Sequence, residues 1–363
     1  MNLKSRPAAV IAAAAIAVSG LTGVASAAAH DPGAAIAAGA QSTTTFSNPV
    51  LGQGQDPSVV TYRSRYYYTQ YDQTQGVITV RTSDSLRSLA SAPQTVAIRG
   101  GQDGVPCCEL WAPELHHVDG AWYIYFAADS GNNDDHRLWV AKADRPTGPF
   151  TGAHEIVTPG DRWTIDGTVA DVPGQGLFLF WSGWPGATNG VQNIYVARMS
   201  DPETVVGPRT RISSPKYAWE RHPVVAGVYV NEGPAVLVHG KHVYVTYSGS
   251  GCTTPYYALG LLSATTSANL TDASSWAKSD QPILKQSKQN GVFSTGGNQF
   301  FTSPDGKQVW IAFHATQDPA GNCGLEREVW AQPVRFGAGG QPVIGVPVSP
   351  QTAVRLPSGD PGA

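Results

Sequence analysis

Charge is scarce in this chain, and helical periodicity is scarcer. Only 14% of the 363 residues are Asp, Glu, Lys or Arg, and the formal net charge is −3. That balance gives no reason to expect nucleic acid or an anionic membrane as a partner. The near absence of apolar residues at a 3.6-residue period argues against a helical or α/β chain. There are four cysteines, Cys107, Cys108, Cys252 and Cys323, and none has metal-ligand spacing. Also missing are Gly-x-Ser-x-Gly, His-Glu-x-x-His and a phosphate loop, which removes the common serine-hydrolase, zinc-protease and NTPase readings. Beyond the N-terminus no apolar run approaches the length of a membrane span.

What is present begins with an N-terminal leader. Lys4 and Arg6 form a short basic region, residues 8–24 are apolar and Ala-rich, and Ala25-Ser26-Ala27 is a small-x-small cleavage site. Residues 1–27 read as a secretory signal peptide, with a membrane anchor as the competing reading. Residues 28–45 are Ala, Gly, Ser and Thr without periodicity and read as a disordered lead-in. Residues 46–354 form one large domain, and residues 355–363 a flexible tail. In the oxidising compartment that a signal peptide implies, disulfides are expected. Pairing Cys107 with Cys108 and Cys252 with Cys323 requires a strained ring between adjacent residues. The other two connectivities staple distant segments, and the spacing does not choose. A neutral, aromatic-rich secreted chain suits an uncharged substrate such as a sugar.

Five aromatic, β-like runs recur: Tyr66-Tyr67-Tyr68-Thr69-Gln70-Tyr71, Trp122-Tyr123-Ile124-Tyr125-Phe126, Leu177-Phe178-Leu179-Phe180-Trp181, Val243-Tyr244-Val245-Thr246-Tyr247 and Val309-Trp310-Ile311-Ala312-Phe313. Their starts are 56, 55, 66 and 66 residues apart. Turn chemistry bounds each one. A shorter strand precedes each run (57–62, 114–118, 168–172, 235–239, 298–302). Another follows it (77–82, 137–143, 193–199, 257–263, 328–334). Fourth strands are less distinct, with 94–98 and 341–346 as candidates. A unit of three to four strands repeated five times reads as an all-β, five-bladed β-propeller. A β-sandwich is the alternative, but it does not explain the long repeat.

In a propeller the first strand of each blade lines the central channel, so equivalent strand starts converge. Asp56, Asp166 and Glu232 each lie ten or eleven residues ahead of an aromatic run. Alone, each reads as a turn residue, since Asp-Pro and Asp-Gly are common turn pairs. Together at one register they predict a shared acidic pocket. Crowded carboxyls push their pKa values apart, so that one stays protonated while another stays ionised. Paired carboxyls of that kind cleave glycosidic bonds.

The segments Asn48-Pro49-Val50 with Gln55-Asp56-Pro57, Trp111-Ala112-Pro113-Glu114-Leu115, Ile165-Asp166-Gly167-Thr168 and Asn231-Glu232-Gly233-Pro234 resemble glycoside hydrolase family 43, a five-bladed propeller family. The resemblance implies Asp56 as general base, Glu232 as general acid and Asp166 as the acid that tunes and orients Glu232. It also implies inversion of configuration, with the two working carboxyls separated by roughly 6.5–9.5 Å to admit a water. Residues 116–126, 181–184, 192–195 and 247–252 are similar to the exo-acting 1,5-α-L-arabinofuranosidases of that family. The implied substrate is a plant cell-wall polysaccharide or oligosaccharide, arabinan or arabinoxylan. β-Xylosidase action, arabinoxylan debranching and a non-catalytic carbohydrate-binding propeller are the alternatives. Relatives commonly carry Gly-His-Asn where this chain has Gly296-Gly297-Asn298.

Further candidates surround these acids. Arg327 matches a sugar-site arginine in similar enzymes, and its planar fork suits paired hydroxyls or a carboxylate. Trp111 and Trp181, with Trp163 and Trp184, offer faces for sugar stacking or for the core. His222, in Arg221-His222, is placed to close over a substrate. Glu114 reads as structural. No cofactor is required for the chemistry. The resemblance allows an axial Ca²⁺ or Na⁺ near His314, contacted through water because hard cations prefer oxygen.

Overall fold

The aromatic runs become the middle strands of antiparallel sets, in a computed structural model that describes residues 44–223 and 225–362. The expected signal peptide and all but the last two residues of the lead-in lie outside the described residues. The first set contains Ser58–Tyr62, Arg65–Asp72, Val77–Ser83 and Gln94–Arg99. The second contains Cys108–Val118, Ala121–Asp129, Arg137–Ala143 and Thr151–Ile156. The third contains Thr164–Val172, Gly176–Gly183, Val191–Asp201 and Thr204–Ser213. The fourth contains Tyr229–His239, His242–Gly249, Ala258–Thr265 and the short Ala277–Lys278. The last contains Phe293–Thr302, Val309–Thr316 and Glu328–Pro333. A short parallel pairing of Val191 and Gln192 with Tyr229 and Val230 ties the third set to the fourth.

The middle strands read as continuous apolar runs because each serves two cores at once. Successive side chains leave a strand on opposite faces. Trp122, Ile124 and Phe126 therefore join Tyr67, Ile78 and Val80 of the first set, while Tyr123, Tyr125 and Ala127 join Leu179 and Trp181 of the third. Phe178 and Phe180 face Val243, Val245 and Tyr247. Ile311 and Phe313 pack with Leu259, while Trp310 packs with Tyr66 and Tyr68 of the first set. Each fully buried side chain of this size is worth about 1.5–3 kcal/mol. The first strands of the sets also touch in cyclic order, and the last returns to the first.

The last set differs from expectation. Residues 341–346 do not supply its fourth strand; Pro342–Val343 pairs only with Arg335–Phe336. The chain's own N-terminal segment takes that edge. The Val50 N–H donates to the Val329 carbonyl at 2.8 Å, and the Asn48 side chain bonds both the N–H and the carbonyl of Ala331 (2.9 and 3.0 Å). Thr45–Phe46 then pairs with Val354–Arg355, so residue 45 belongs to the fold and not to the lead-in. The expected flexible tail is also corrected. Leu356 is buried, and the Asp360 carboxylate accepts from the Tyr66 hydroxyl and the Leu86 N–H, both at 2.9 Å. A half-buried carboxylate with two donors ties the end of the chain to the first set.

Candidate active site

Four of the five first strands break their ladders at one equivalent place. Register shifts fall between Trp111 and Glu114, Ile165 and Thr168, Glu232 and Ala235, and Gly296 and Asn298. The residue expelled at each break is left-handed: Ala112 (φ 44°), Asp166 (φ 54°), Gly233 (φ 58°) and Gly297 (φ 49°). Asp56 (φ 43°) takes the corresponding place just ahead of Ser58–Tyr62. A bulge frees a residue from pairing and re-aims it. Left-handed backbone costs a non-glycine residue about 1–3 kcal/mol, and Asp tolerates it better than most. All five residues line one pocket of about 410 Å³.

The structure thus brings Asp56, Asp166 and Glu232 together, with one refinement of the expected register. Asp56 and Asp166 are themselves the left-handed residues, whereas Glu232 stands one residue before Gly233. Asp166 and Glu232 are linked through the backbone: the Gly233 N–H donates to Asp166 Oδ2 at 2.9 Å. Asn231 is clamped on the other side of Glu232. Its amide donates to Glu220 Oε1 (3.0 Å), and its Oδ1 accepts from Ser213 Oγ (2.6 Å) and Lys278 Nζ (3.1 Å). Lys278 and the buried Glu220 form a 2.5 Å ion pair. Glu232 therefore hangs from a backbone held at both neighbours.

The acids are held in different charge states. Burial pushes the Asp56 carboxyl up, but Arg327 and His314 together outweigh it and bring Asp56 down to about 2. Arg327 Nη1 and His314 Nδ1 lie 3.4 and 3.3 Å from Asp56 Oδ1. Asp56 keeps about 30% of its side chain exposed, so water reaches it. Glu232 moves the other way. Burial, and then the Asp56 charge, lift it to about 7 against the Tyr257 hydroxyl, which donates to Glu232 Oε1 at 3.0 Å. Asp166 is also raised, by burial and then by Glu232 and Asp56. Asp166 and Glu232 are thus both pushed toward their protonated forms, the reverse of Asp56.

Of the remaining expected contacts, Arg327 and Trp111 line the pocket. Arg327 is buried and also donates to Gln55 Oε1. Trp111 stacks on His136 with centroids 4.2 Å apart. Trp181 is corrected to a core residue: it is fully buried and stacks on Tyr195, so no sugar reaches it. Trp163, stacked on Trp184, is the second tryptophan of the wall. His222 is corrected too. Its backbone is fixed by Ser250 Oγ and the Gly251 N–H, its ring lies on Tyr256 at 4.1 Å, and it does not line the pocket. Glu114, read as structural, does line the pocket, paired with His116 at 2.7 Å. His314 is fully buried behind Asp56, and its Nε2 has no hydrogen-bond partner. The same is true of both polar side-chain atoms of Asn298.

Tyr257 is the residue that the strand register does not reveal, since it lies just ahead of a third strand. Its ring runs parallel to His314, with centroids 5.5 Å apart. It occupies the space beside Gly296, where a Cβ would stand 2.0 Å from the ring. Gly297 makes similar room: a Cβ there would sit 2.5 Å from His314 Cε1 and 2.8 Å from Asp56 Oδ1. The histidine of the Gly-His-Asn pattern thus has no space in this arrangement. The disulfides are Cys107–Cys108 and Cys252–Cys323, the pairing that includes adjacent residues. Cys252–Cys323 lines the pocket and joins the loop carrying Tyr257 to the loop carrying Arg327.

The sequence model of Glycosyl hydrolases family 43 matches residues 46–342. An extracellular exo-α-(1→5)-L-arabinofuranosidase of Streptomyces avermitilis is 35% identical over 85% of this chain and 65% of its own length. The chain thus spans just under two thirds of that relative. An enzyme of the same description from Streptomyces chartreusis is 31% identical over 82% of this chain and 90% of its own. Among solved structures, an α-L-arabinofuranosidase from Lactobacillus brevis superimposes with a TM-score of 0.76 at 30% identity, covering 85% of this chain and 98% of that one. A match across most of the described fold, with the three acids gathered in one pocket, leads to one conclusion: the chain belongs to glycosyl hydrolase family 43.

Proposed function

We propose that this chain is a five-bladed β-propeller that removes terminal L-arabinofuranose from arabinan or arabino-oligosaccharides with inversion of configuration. The observation that carries the reading is the opposed charge state of two acids in one pocket. Asp56 is held ionised at about 2, and Glu232 is lifted to about 7. Asp56 is the general base and takes a proton from the water that attacks the anomeric carbon. Glu232 is the general acid and gives its proton to the departing glycosidic oxygen. Asp166, through the Gly233 amide, positions Glu232 and keeps the pair protonated. Arg327 holds Asp56 and Gln55 and presents its remaining donor capacity to sugar hydroxyls; Trp111 offers a face to the ring. The names of the Streptomyces relatives support arabinofuranose as the sugar and an extracellular location. Two disulfides fit that location, and no helix among the described residues is long and apolar enough to cross a membrane.

The buried, unpartnered Nε2 of His314 and the amide of Asn298 fit an ordered water or a hydrated Ca²⁺ or Na⁺ on the propeller axis. Such an ion would be held by His314 through water. It would supply positive charge beneath Asp56 and take no part in proton transfer.

A product profile tests the sugar. Linear arabinan, arabinoxylan and xylo-oligosaccharides are incubated with the protein, and the released sugars are separated. Arabinose released singly from linear arabinan is the expected result; xylose as the main product would overturn it.

Tyr257→Phe tests the proton donor. The phenol favours the Glu232 carboxylate, so removing it raises the Glu232 pKa. Glu232 works when protonated, so the alkaline limb of kcat/KM moves to higher pH. A hydrogen bond to a charged group is worth about 1.5–3 kcal/mol, which predicts a shift of about 1–2 pH units. An alkaline limb that stays in place would remove Tyr257 from this role.

A further inference from the structure

A second cavity, of about 330 Å³, lies beside the catalytic pocket, and the two share Gln55 and Gln73. Its size falls within the range of ligand sites, about 300–1,000 Å³. One wall is the N-terminal segment from Leu51 to Gln55. The other is formed by the end of the strand Arg65–Asp72, with Arg81 and Gln94 from the two strands beyond it. The N-terminal wall is built in place. Leu51 pairs with Val329, and the Gly54 N–H donates to the Arg327 carbonyl at 2.7 Å. Gly54 is required for this fit, since a Cβ there would stand 2.6 Å from Val329 Cγ2 and 2.7 Å from the Tyr68 hydroxyl. Gln55 is shared with the catalytic pocket, and its Oε1 accepts from Arg327 and from Gln73 Nε2, the latter at 3.4 Å.

The chemistry of the lining selects the ligand. Its two charged groups are opposite in sign and already engaged. Asp72 accepts from the backbone and side chains of Thr74 and Gln75 at 2.6–3.2 Å, and Arg81 Nη1 donates to the Ala90 carbonyl at 3.2 Å. What remains is a set of neutral amides. The side chains of Gln53 and Gln94 are exposed and make no hydrogen bond among the described residues. Gln70, which also lines the cavity, has no partner for its Oε1. A primary amide offers two donors and an acceptor, the complement of a hydroxyl group. Leu51 and the half-exposed Leu325 add apolar surface for the C–H faces of a sugar ring. The set suits an uncharged, polyhydroxylated ligand and offers no free charge to an ion.

We propose that this cavity is a second glycan-binding site, which holds a further stretch of the uncharged polysaccharide whose terminal sugar is cleaved in the neighbouring pocket. The inference rests on the polysaccharide-cleaving reading given above. Because the two sites share a wall, a chain held at the second raises the local concentration of chain ends at the first. A small substrate that fills only the catalytic pocket gains nothing from it.

The test compares linear arabinan with 4-nitrophenyl α-L-arabinofuranoside in a Gln53→Ala/Gln94→Ala variant. Both side chains are exposed, so the variant should fold. Two lost hydrogen bonds predict kcat/KM about tenfold lower on arabinan, through KM, with the aryl arabinoside within about twofold of the wild type. Loss on neither substrate would overturn the proposal. Equal loss on both would overturn it too, since these glutamines would then be supporting the catalytic pocket. If the wild type releases xylose in place of arabinose, the sugar reading fails and this one stands, and the same comparison is made on xylan and the aryl xyloside. If it cleaves neither polymer, calorimetric titration with soluble arabinan and arabinoxylan decides. Binding that weakens in the variant by the same factor supports the site; no binding by the wild type, or equal binding by both proteins, overturns it.

Discussion

Glu232→Gln is expected to lower turnover of arabino-oligosaccharides by about 10²–10⁴-fold, the usual contribution of a positioned proton donor. The loss should depend on the leaving group. A sugar alkoxide cannot depart without a proton, whereas 4-nitrophenolate can, so the aryl arabinoside should be hydrolysed at a rate much nearer that of the wild type. The pH profile supplies a second signature. As the proposed general acid, Glu232 would work protonated in the wild type, and activity is expected to fall as pH rises through about 7. With glutamine at that position this limb should vanish for the aryl substrate. Steady-state rates on both substrates across pH are the measurement. An equal loss on both would mean that Glu232 does not protonate the leaving group. Retained binding with no measurable hydrolysis by the wild type would instead indicate a carbohydrate-binding propeller.

Asp56→Asn is expected to lose as much or more, and without that relief. Every substrate needs an activated water, so kcat should fall at least 10²–10⁴-fold on the oligosaccharide and the aryl arabinoside alike. The amide still fits beside Arg327 and His314, which argues for a folded variant, but it cannot accept a proton. As the proposed general base, Asp56 would work ionised, so its limb is expected on the acid side, with activity falling as pH drops toward about 2. Burial alone would place that limb higher, and the guanidinium and imidazole hold it low. Single-turnover rates on both substrates distinguish the two acids. If Asp56→Asn recovers with the better leaving group, the roles assigned to the two residues are reversed.

Much of this architecture was legible in the chain. The five aromatic runs all became middle strands, because side chains that must fill two cores leave a signal on every residue of the strand. The convergence of Asp56, Asp166 and Glu232 followed from equivalent positions in the repeat. Edges were harder to read. The last set is completed by residues 46–51, whose pairing with Val329 and Ala331 spans nearly the whole chain, and no local pattern encodes that. The tail was misread for the same reason: its anchor, Asp360, finds partners in Tyr66 and Leu86. Trp181 was ambiguous because strand alternation does not say which face is core when both are. Tyr257 was missed because it stands beside the repeat register and not in it.

A left-handed residue in, or just ahead of, each first strand shapes how such a pocket diversifies. Asp56, Ala112, Asp166, Gly233 and Gly297 stand outside the strand ladder, so their identities are not tied to sheet hydrogen bonds. They act as interchangeable sockets around one opening: two hold carboxylates, one a methyl group, and two hold nothing. The sockets are not equally free. At Gly297 the neighbours His314 and Asp56 close the space, whereas at Gly233 the nearest atoms are at ordinary contact distances of 3.6 and 3.7 Å. Recognition can therefore change one socket at a time while the cores between the sheets stay as they are, and Ala112 is the socket where a side chain already lines the pocket without a chemical task.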